Sequence, residues 1–163
     1  MGETERLRIR AWREGEADRM FYIHRRPEVV RWFGTPEVMT DVAQARARIE
    51  RYAAHEAPLG SWAIEELATG RVVGTALLIG VRDSDRLQVG WYLHPDSLGQ
   101  GYATEAAREV LAHAAEAGYR EVFAYTDVDN HPSHAVCRRL GMVEAGVEGG
   151  DTDRPSLVFV ARS

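Results

Sequence analysis

Leu93-His94-Pro95-Asp96-Ser97-Leu98-Gly99-Gln100-Gly101-Tyr102-Ala103-Thr104-Glu105-Ala106-Ala107 is the stretch on which the fold turns. Ahead of it, Leu87 to Leu93 is apolar and aromatic enough for a strand. Behind it, Ala103, Ala106, Ala107, Val110, Leu111 and Ala114 recur at three and four residues, one face of a helix. Gly99 and Gly101 lie between the two. A glycine turn from a strand into a helix presents unpaired backbone N–H groups at the positive end of the helix dipole, a ready site for phosphate. The spacing excludes two common phosphate binders. GxGxxG requires glycine where Thr104 stands, and the Walker pattern requires a lysine that follows neither glycine.

Outward from this centre, the N-terminal Thr4 to Arg10 alternates, with Leu7 and Ile9 on one side and arginines on the other, which predicts a half-buried first strand. Ala17, Met20, Phe21 and His24 recur at helical spacing, and Pro27 is expected to end that helix. Gly34-Thr35-Pro36 reads as a loop. A second helix is expected from Asp41, in a capping box with Gln44, with Val42, Ala45, Ile49, Tyr52 and Ala53 as its apolar stripe. Ser61 to Glu65 and Val72 to Val81, joined at Ala68-Thr69-Gly70, predict an antiparallel hairpin. Asp83-Ser84-Asp85 turns the chain into the strand before the glycines. Val122 to Val128 is the next strand, followed by a short helix with Val136, Cys137 and Leu140 inward. Met142 to Val147 and Leu157 to Val160 are two closing strands around the acidic loop Glu148 to Asp153.

This order, β-α-α-β-β-β-α-β-α-β-β, predicts an α/β chain with a mixed sheet and helices on both faces. The strand–helix–strand from Leu87 to Val128 is a crossover, so its two strands should be parallel. With no repeats or dividing linker, residues 1–163 read as one domain.

Composition narrows the function. Apolar content of 45% and charged content of 28% are those of a soluble globular protein. No run approaches the ~20 apolar residues of a membrane span. The charged N-terminus lacks a signal-peptide core, and a lone cysteine, Cys137, suits a reducing compartment, so a cytoplasmic protein is expected. Net charge −5 argues against nonspecific nucleic-acid binding and leans toward a cationic partner such as an amine. All 20 basic residues are arginine, so the α-amino group is the chain's primary amine and lysine self-modification is impossible.

The segment Leu98-Gly99-Gln100-Gly101-Tyr102-Ala103 resembles the pyrophosphate-binding motif Q/R-x-x-G-x-G/A of the GNAT acetyltransferase superfamily, departing from it at Leu98. Gly-Gln-Gly-Tyr-Ala-Thr-Glu-Ala and the opening Thr-x-Arg-Leu-x-Ile-Arg look like the RimJ/RimL-type branch. The resemblance implies a mostly antiparallel mixed sheet whose two parallel central strands splay around the cofactor, acetyl-CoA. It implies that the backbone of Trp91, Tyr92 and Leu93 pairs with the pantetheine arm, while the side chains of Trp91 and Tyr92 serve packing. Gly99, Gln100, Gly101, Tyr102, Ala103 and Thr104 would supply amides to the pyrophosphate; the Thr104 hydroxyl either joins them or is an ordinary helix residue. Asn130-x-x-Ser133 looks like the second cofactor segment. By that likeness Asn130 bonds the pantetheine and Ser133 is the catalytic proton donor to the thiolate; alternatively the pair is a loop asparagine and a capping serine.

The general base stays open. Relatives often carry Glu where Gln88 stands here, and the candidates are Glu65, Asp127, His24, His94 or a water relay. Cys137 lies on an apolar helix face without a Cys–His–acid pattern and reads as core. His131, His134, Asp127 and Asp129 lack metal-ligand spacing and read as a polar loop. The implied acceptor is a protein α-amine or a small-molecule amine, chosen by the first two helices, Arg31 to Thr35 (with Trp32 a candidate lining residue) and Glu148 to Asp153. A homodimer is common among similar proteins. The rival reading is a non-catalytic acyl-CoA-binding module.

Overall fold

Period-2 alternation in an antiparallel sheet buries one face, and runs without alternation require cover on both. Both patterns occur in the computed structural model, which describes residues 1–34, 36–149 and 154–163. Seven strands, β1 (Leu7–Ala11), β2 (Gly60–Glu66), β3 (Arg71–Gly80), β4 (Leu87–Leu93), β5 (Glu121–Asp127), β6 (Val143–Gly149) and β7 (Pro155–Arg162), form one sheet in the order β1-β2-β3-β4-β5-β7-β6. Neighbours are antiparallel except β4 and β5, which the crossover helix α4 (Tyr102–Glu116) makes parallel. That pair is joined at one register position, Gln88 opposite Phe123, and the strands part beyond it.

Each face of the sheet has its own core. On one, Leu7, Ile9, Ile64 and Val73 pack with Ala106, Ala107, Val110 and Ala114 of α4. On the other, Ala63 and Val72 meet Met20 and Ile23 of α1 (Ala17–His24) and Ala45 and Ile49 of α3 (Val42–Ala53). Val73 joins the opposite core from Val72, and the register slips between Ile64 and Glu65, so Val73 is the extra residue of a bulge. Its carbonyl accepts from the His94 N–H at 2.7 Å, which pins the exit of β4.

Several local expectations need correction. Pro27 does not end the first helix; α1 stops at His24, and Pro27 begins a further short helix, α2 (Pro27–Val30). Proline suits a first helical position, where its fixed φ is helical and its missing N–H has no partner to lose. At the start of α3, Asp41 accepts from the Gln44 N–H, but the Gln44 amide oxygen reaches back to the N–H of Thr40 rather than Asp41. Ala53 is exposed. β1 begins at Leu7 because Thr4 and the Arg6 backbone are drawn onto Glu105 of α4. β5 ends at Asp127, where the Asn130 N–H turns back to the Asp127 carbonyl. After the turn, α5 (His131–Arg139) carries Cys137 into the core, and burial pushes its thiol up to about 12, an inert packing residue. Thr35 and most of the acidic loop, residues 150–153, lie outside the described residues.

Candidate active site

The turn after β4 puts Gly99 at φ +75° and Gly101 at φ +81°, the left-handed region where a β-carbon is strained. Gly101 is the N-cap of α4 and has no side chain to offer the first-turn N–H groups, which open into a cavity of about 970 Å³. The buried Thr104 hydroxyl lines the same cavity and has no hydrogen-bond partner among the described residues. Three arginines, Arg6, Arg108 and Arg139, line it as well. Arg6 is fixed there: two of its guanidinium nitrogens bond Glu105 at 2.8 and 2.6 Å, and the third donates to the Gln100 carbonyl at 2.8 Å. A helix N-terminus, an unsatisfied hydroxyl and guanidinium groups together suit a phosphorylated ligand.

Not every residue of the turn faces that cavity in the same way. The Tyr102 phenol donates to Glu66, which pushes its pKa up, and its ring lies under the Arg6 guanidinium at 5.0 Å. Its side chain ties α4 to β2, while its amide belongs to the helix N-terminus. Leu98, exposed, and Ala103, half-buried, line the wall.

β4 carries the cavity across the sheet. Trp91, Tyr92 and Leu93 pair with Ala76, Thr75 and Gly74 of β3 on one side; on the other, β5 has already parted. Their free backbone edge can pair with an extended ligand. Leu93 lines the phosphate-side cavity, and Trp91 and Tyr92 line a second one of about 710 Å³. The Tyr92 side chain is structural. Its hydroxyl meets that of Tyr52 at 2.9 Å, its ring packs on His24 and Phe33, and burial pushes its phenol far up. Trp32 lines the second cavity, with Arg31 stacked 4.2 Å above its ring.

Asn130 caps α5: its side-chain oxygen accepts from the Ser133 N–H at 3.3 Å. Ser133 is half-buried in the first turn of α5 and is not among the described residues lining either cavity. Tyr125 does line the second cavity, its hydroxyl accepting from Arg86 at 3.0 Å. The sequence reading passed over Tyr125, although Phe123, Tyr125 and Asp127 alternate on one face of β5. It also passed over Arg108, four residues beyond Thr104 and so on the same helix face. Arg6 and Arg139 carry no comparable local signal.

Of the four base candidates, Asp127 alone lines a described cavity, and Gln88 sits in the same wall. Asp127 accepts from the Asp129 N–H at 3.0 Å and faces Arg154 at 3.3 Å. Glu65 is bound by both Arg8 and Arg10, whose hydrogen bonds hold its carboxyl below the usual range. His24 and His94 are buried, and desolvation pushes both pKa values down, His24 to about 3.

Comparison with known proteins settles what this geometry belongs to. Residues 6–143 match the model of the acetyltransferase (GNAT) domain. The chain belongs to the GNAT acetyltransferase family. It is an acetyltransferase, and acetyl-CoA is the acetyl donor of that family's reaction. The uncharacterized N-acetyltransferase YoaA of Bacillus subtilis is 28% identical over 149 residues, which cover 89% of this chain and 84% of that protein. The FsC-acetyl coenzyme A-N(2)-transacetylase of Aspergillus fumigatus is 31% identical over 80% of this chain, which spans 60% of that longer protein. Among solved structures, a GNAT acetyltransferase from Bacillus anthracis superposes with a TM-score of 0.85 at 18% identity, covering 98% of this chain and 96% of that one. RimL, the ribosomal L7/L12 α-N-protein acetyltransferase solved with coenzyme A, gives 0.83 at 17% identity, covering 98% and 95%. At such identities the superpositions establish the fold. Among the described residues, no helix is long and apolar enough to cross a membrane.

Proposed function

We propose that this chain is an N-acetyltransferase of the RimJ/RimL-type branch, moving an acetyl group directly from acetyl-CoA to a primary amine, either a protein α-amine or a small-molecule amine. The observation that carries the reading is the β4 edge left open by the parting of β5, with a phosphate cradle at one end and an aromatic cavity at the other. Acetyl-CoA, when bound, supplies the activated thioester. The amides of Gly99 to Thr104, the orphaned Thr104 hydroxyl and Arg108 would hold its diphosphate. The backbone edge of Trp91, Tyr92 and Leu93 would align the extended arm, and an N–H on that edge would polarise the acyl carbonyl.

On the acceptor side, Asp127 is the described carboxylate best placed to take the amine's proton, directly or through one water. Ser133 is the proposed donor of a hydrogen bond to the leaving sulfur, with Asn130 holding the α5 turn that presents it. Tyr125 is a second reading for that role, because it lines the acceptor cavity and Ser133 does not. The enzyme would act in the cytoplasm, in keeping with its one cysteine, which is buried, and as the homodimer common among similar proteins.

The test is thermal stability with and without acetyl-CoA, with NAD and ATP as controls, followed by CoA release with an amine panel. Cofactor at one hundred times its dissociation constant adds ~2.7 kcal/mol, enough to raise the midpoint by several degrees. Stabilisation by acetyl-CoA without CoA release from any amine would favour the non-catalytic acyl-CoA-binding module. No stabilisation at saturation would remove the assignment of the cradle.

A further inference from the structure

The acceptor cavity has a charge that runs against the rest of the molecule. The chain is net −5, yet five arginines line this cavity: Arg48, Arg51, Arg82, Arg86 and Arg154. The described acids in the same wall, Asp127 and Glu148, are committed to two of them: Asp127 faces Arg154 at 3.3 Å, and Glu148 faces Arg86 at 3.0 Å. Arg48 is different. It is half-buried on α3, and its described partner is the His24 ring, whose Nδ1 accepts from it at 2.9 Å. A histidine nitrogen that accepts is neutral, so this bond orients the guanidinium without cancelling its charge. Arg51 follows three residues later, on the same helix face, and Arg82 enters from the loop after β3. Neither has a carboxylate partner among the described residues. Trp32, Phe33 and Tyr52 supply the apolar part of the wall.

A half-buried, oriented cation beside an aromatic wall is costly unless a ligand completes it. We infer that the amine acceptor also carries an oxyanion group, a carboxylate or a phosphate, and that Arg48 and Arg51 bind that group, with Arg82 at the rim. This deepens the acetyltransferase reading and rests on it. Guanidinium forks match both oxyanions in geometry.

The experiment is a matched-pair panel under saturating acetyl-CoA, read by CoA release: β-alanine against β-alaninamide, O-phosphoethanolamine against ethanolamine, and peptides with aspartate against asparagine at the second position. Spermidine is the cationic arm. The expected result is at least a tenfold higher kcat/KM for the anionic member of one or more pairs. The pair that responds separates carboxylate, phosphate and acidic peptide. In Arg48→Gln, and in the more exposed Arg51→Gln, that preference should collapse while acetyl-CoA still raises the midpoint of unfolding. Equal or better turnover of the neutral and cationic members overturns the inference, and so does a preference that survives both substitutions. If no member turns over, the same pairs are titrated into the CoA-saturated protein. Anion-dependent binding lost in Arg48→Gln supports the inference, and its absence refutes it. Failure of the underlying reading looks different: acetyl-CoA itself would neither stabilise the protein nor release CoA.

Discussion

His24 makes acidification a quantitative probe of the acceptor wall. Its ring is fully buried, accepts from Arg48, and is pushed from 6.5 down to about 3 by desolvation and then by the Arg48 charge. The folded state therefore refuses a proton that the unfolded chain accepts below pH 6.5. Stability from this group is fully present above pH 6.5 and is lost progressively as pH falls toward 3. Between pH 8 and pH 5 the loss is about 2 kcal/mol, from the ordinary histidine pKa in the unfolded chain. At this chain length that is a fall of roughly 4–8 °C in Tm. The carboxylates held low by their partners, Glu16, Glu65, Glu66 and Glu105, begin to cost stability only below their ordinary value of 4.5, so the window belongs to histidine. His94, also pushed down, adds to the wild-type fall. His24→Asn keeps an acceptor for Arg48 and removes the titration. The assay is thermal unfolding at pH 8, 7, 6 and 5 for both proteins. The variant should start less stable but lose about 2 kcal/mol less across the window. Parallel losses would refute a neutral, buried His24 and, with it, the oriented Arg48.

Other expectations follow from the same geometry. Gly101→Val should abolish stabilisation by acetyl-CoA, because a β-branched residue at φ +81° disrupts the α4 N-terminus; Gly101→Asn, which tolerates this conformation, should keep part of it. A wild-type shift in the valine variant would mean that the cradle is elsewhere. Ser133→Ala and Tyr125→Phe separate the two candidate donors: the true donor should lose at least tenfold in kcat with little change in acetyl-CoA binding, and equal loss of both quantities would mark a structural role. Gly74→Ala drives a β-carbon into the Tyr92 carbonyl oxygen, so β4 must shift at the edge proposed to hold the cofactor. Chemical denaturation should show a cost of about 1–3 kcal/mol, and acetyl-CoA affinity should fall with it; unchanged affinity would mean that the 91–93 edge does not hold the cofactor.

Much of the site was legible because it is local. Gly99 and Gly101 declare a turn by their composition, the alanine face of α4 declares a helix by its period, and a strand on either side of that helix compels a parallel pair. At the second segment the alternative reading made the serine the cap, whereas Asn130 is the N-cap of α5 and Ser133 lies in its first turn. Two errors, at Pro27 and at Gln44, were of one residue's role, since proline both ends and begins helices and a capping side chain can reach one residue further.

By itself, then, the sequence determined the order of the strands, the parallel crossover, the glycine turn into α4 and the family, and it missed α2. The tertiary structure alone decided what surrounds them. Arg6 reaches Gln100 across 94 residues, and His24 meets Arg48 only when α1 packs on α3. The net charge of −5 leans toward a cationic partner for the surface as a whole, while five arginines line the described wall of the second cavity. Periodicity reports which face of one element is buried, and net charge sums over the whole surface. Which charges converge on one cavity depends on long-range packing, and no local pattern records it.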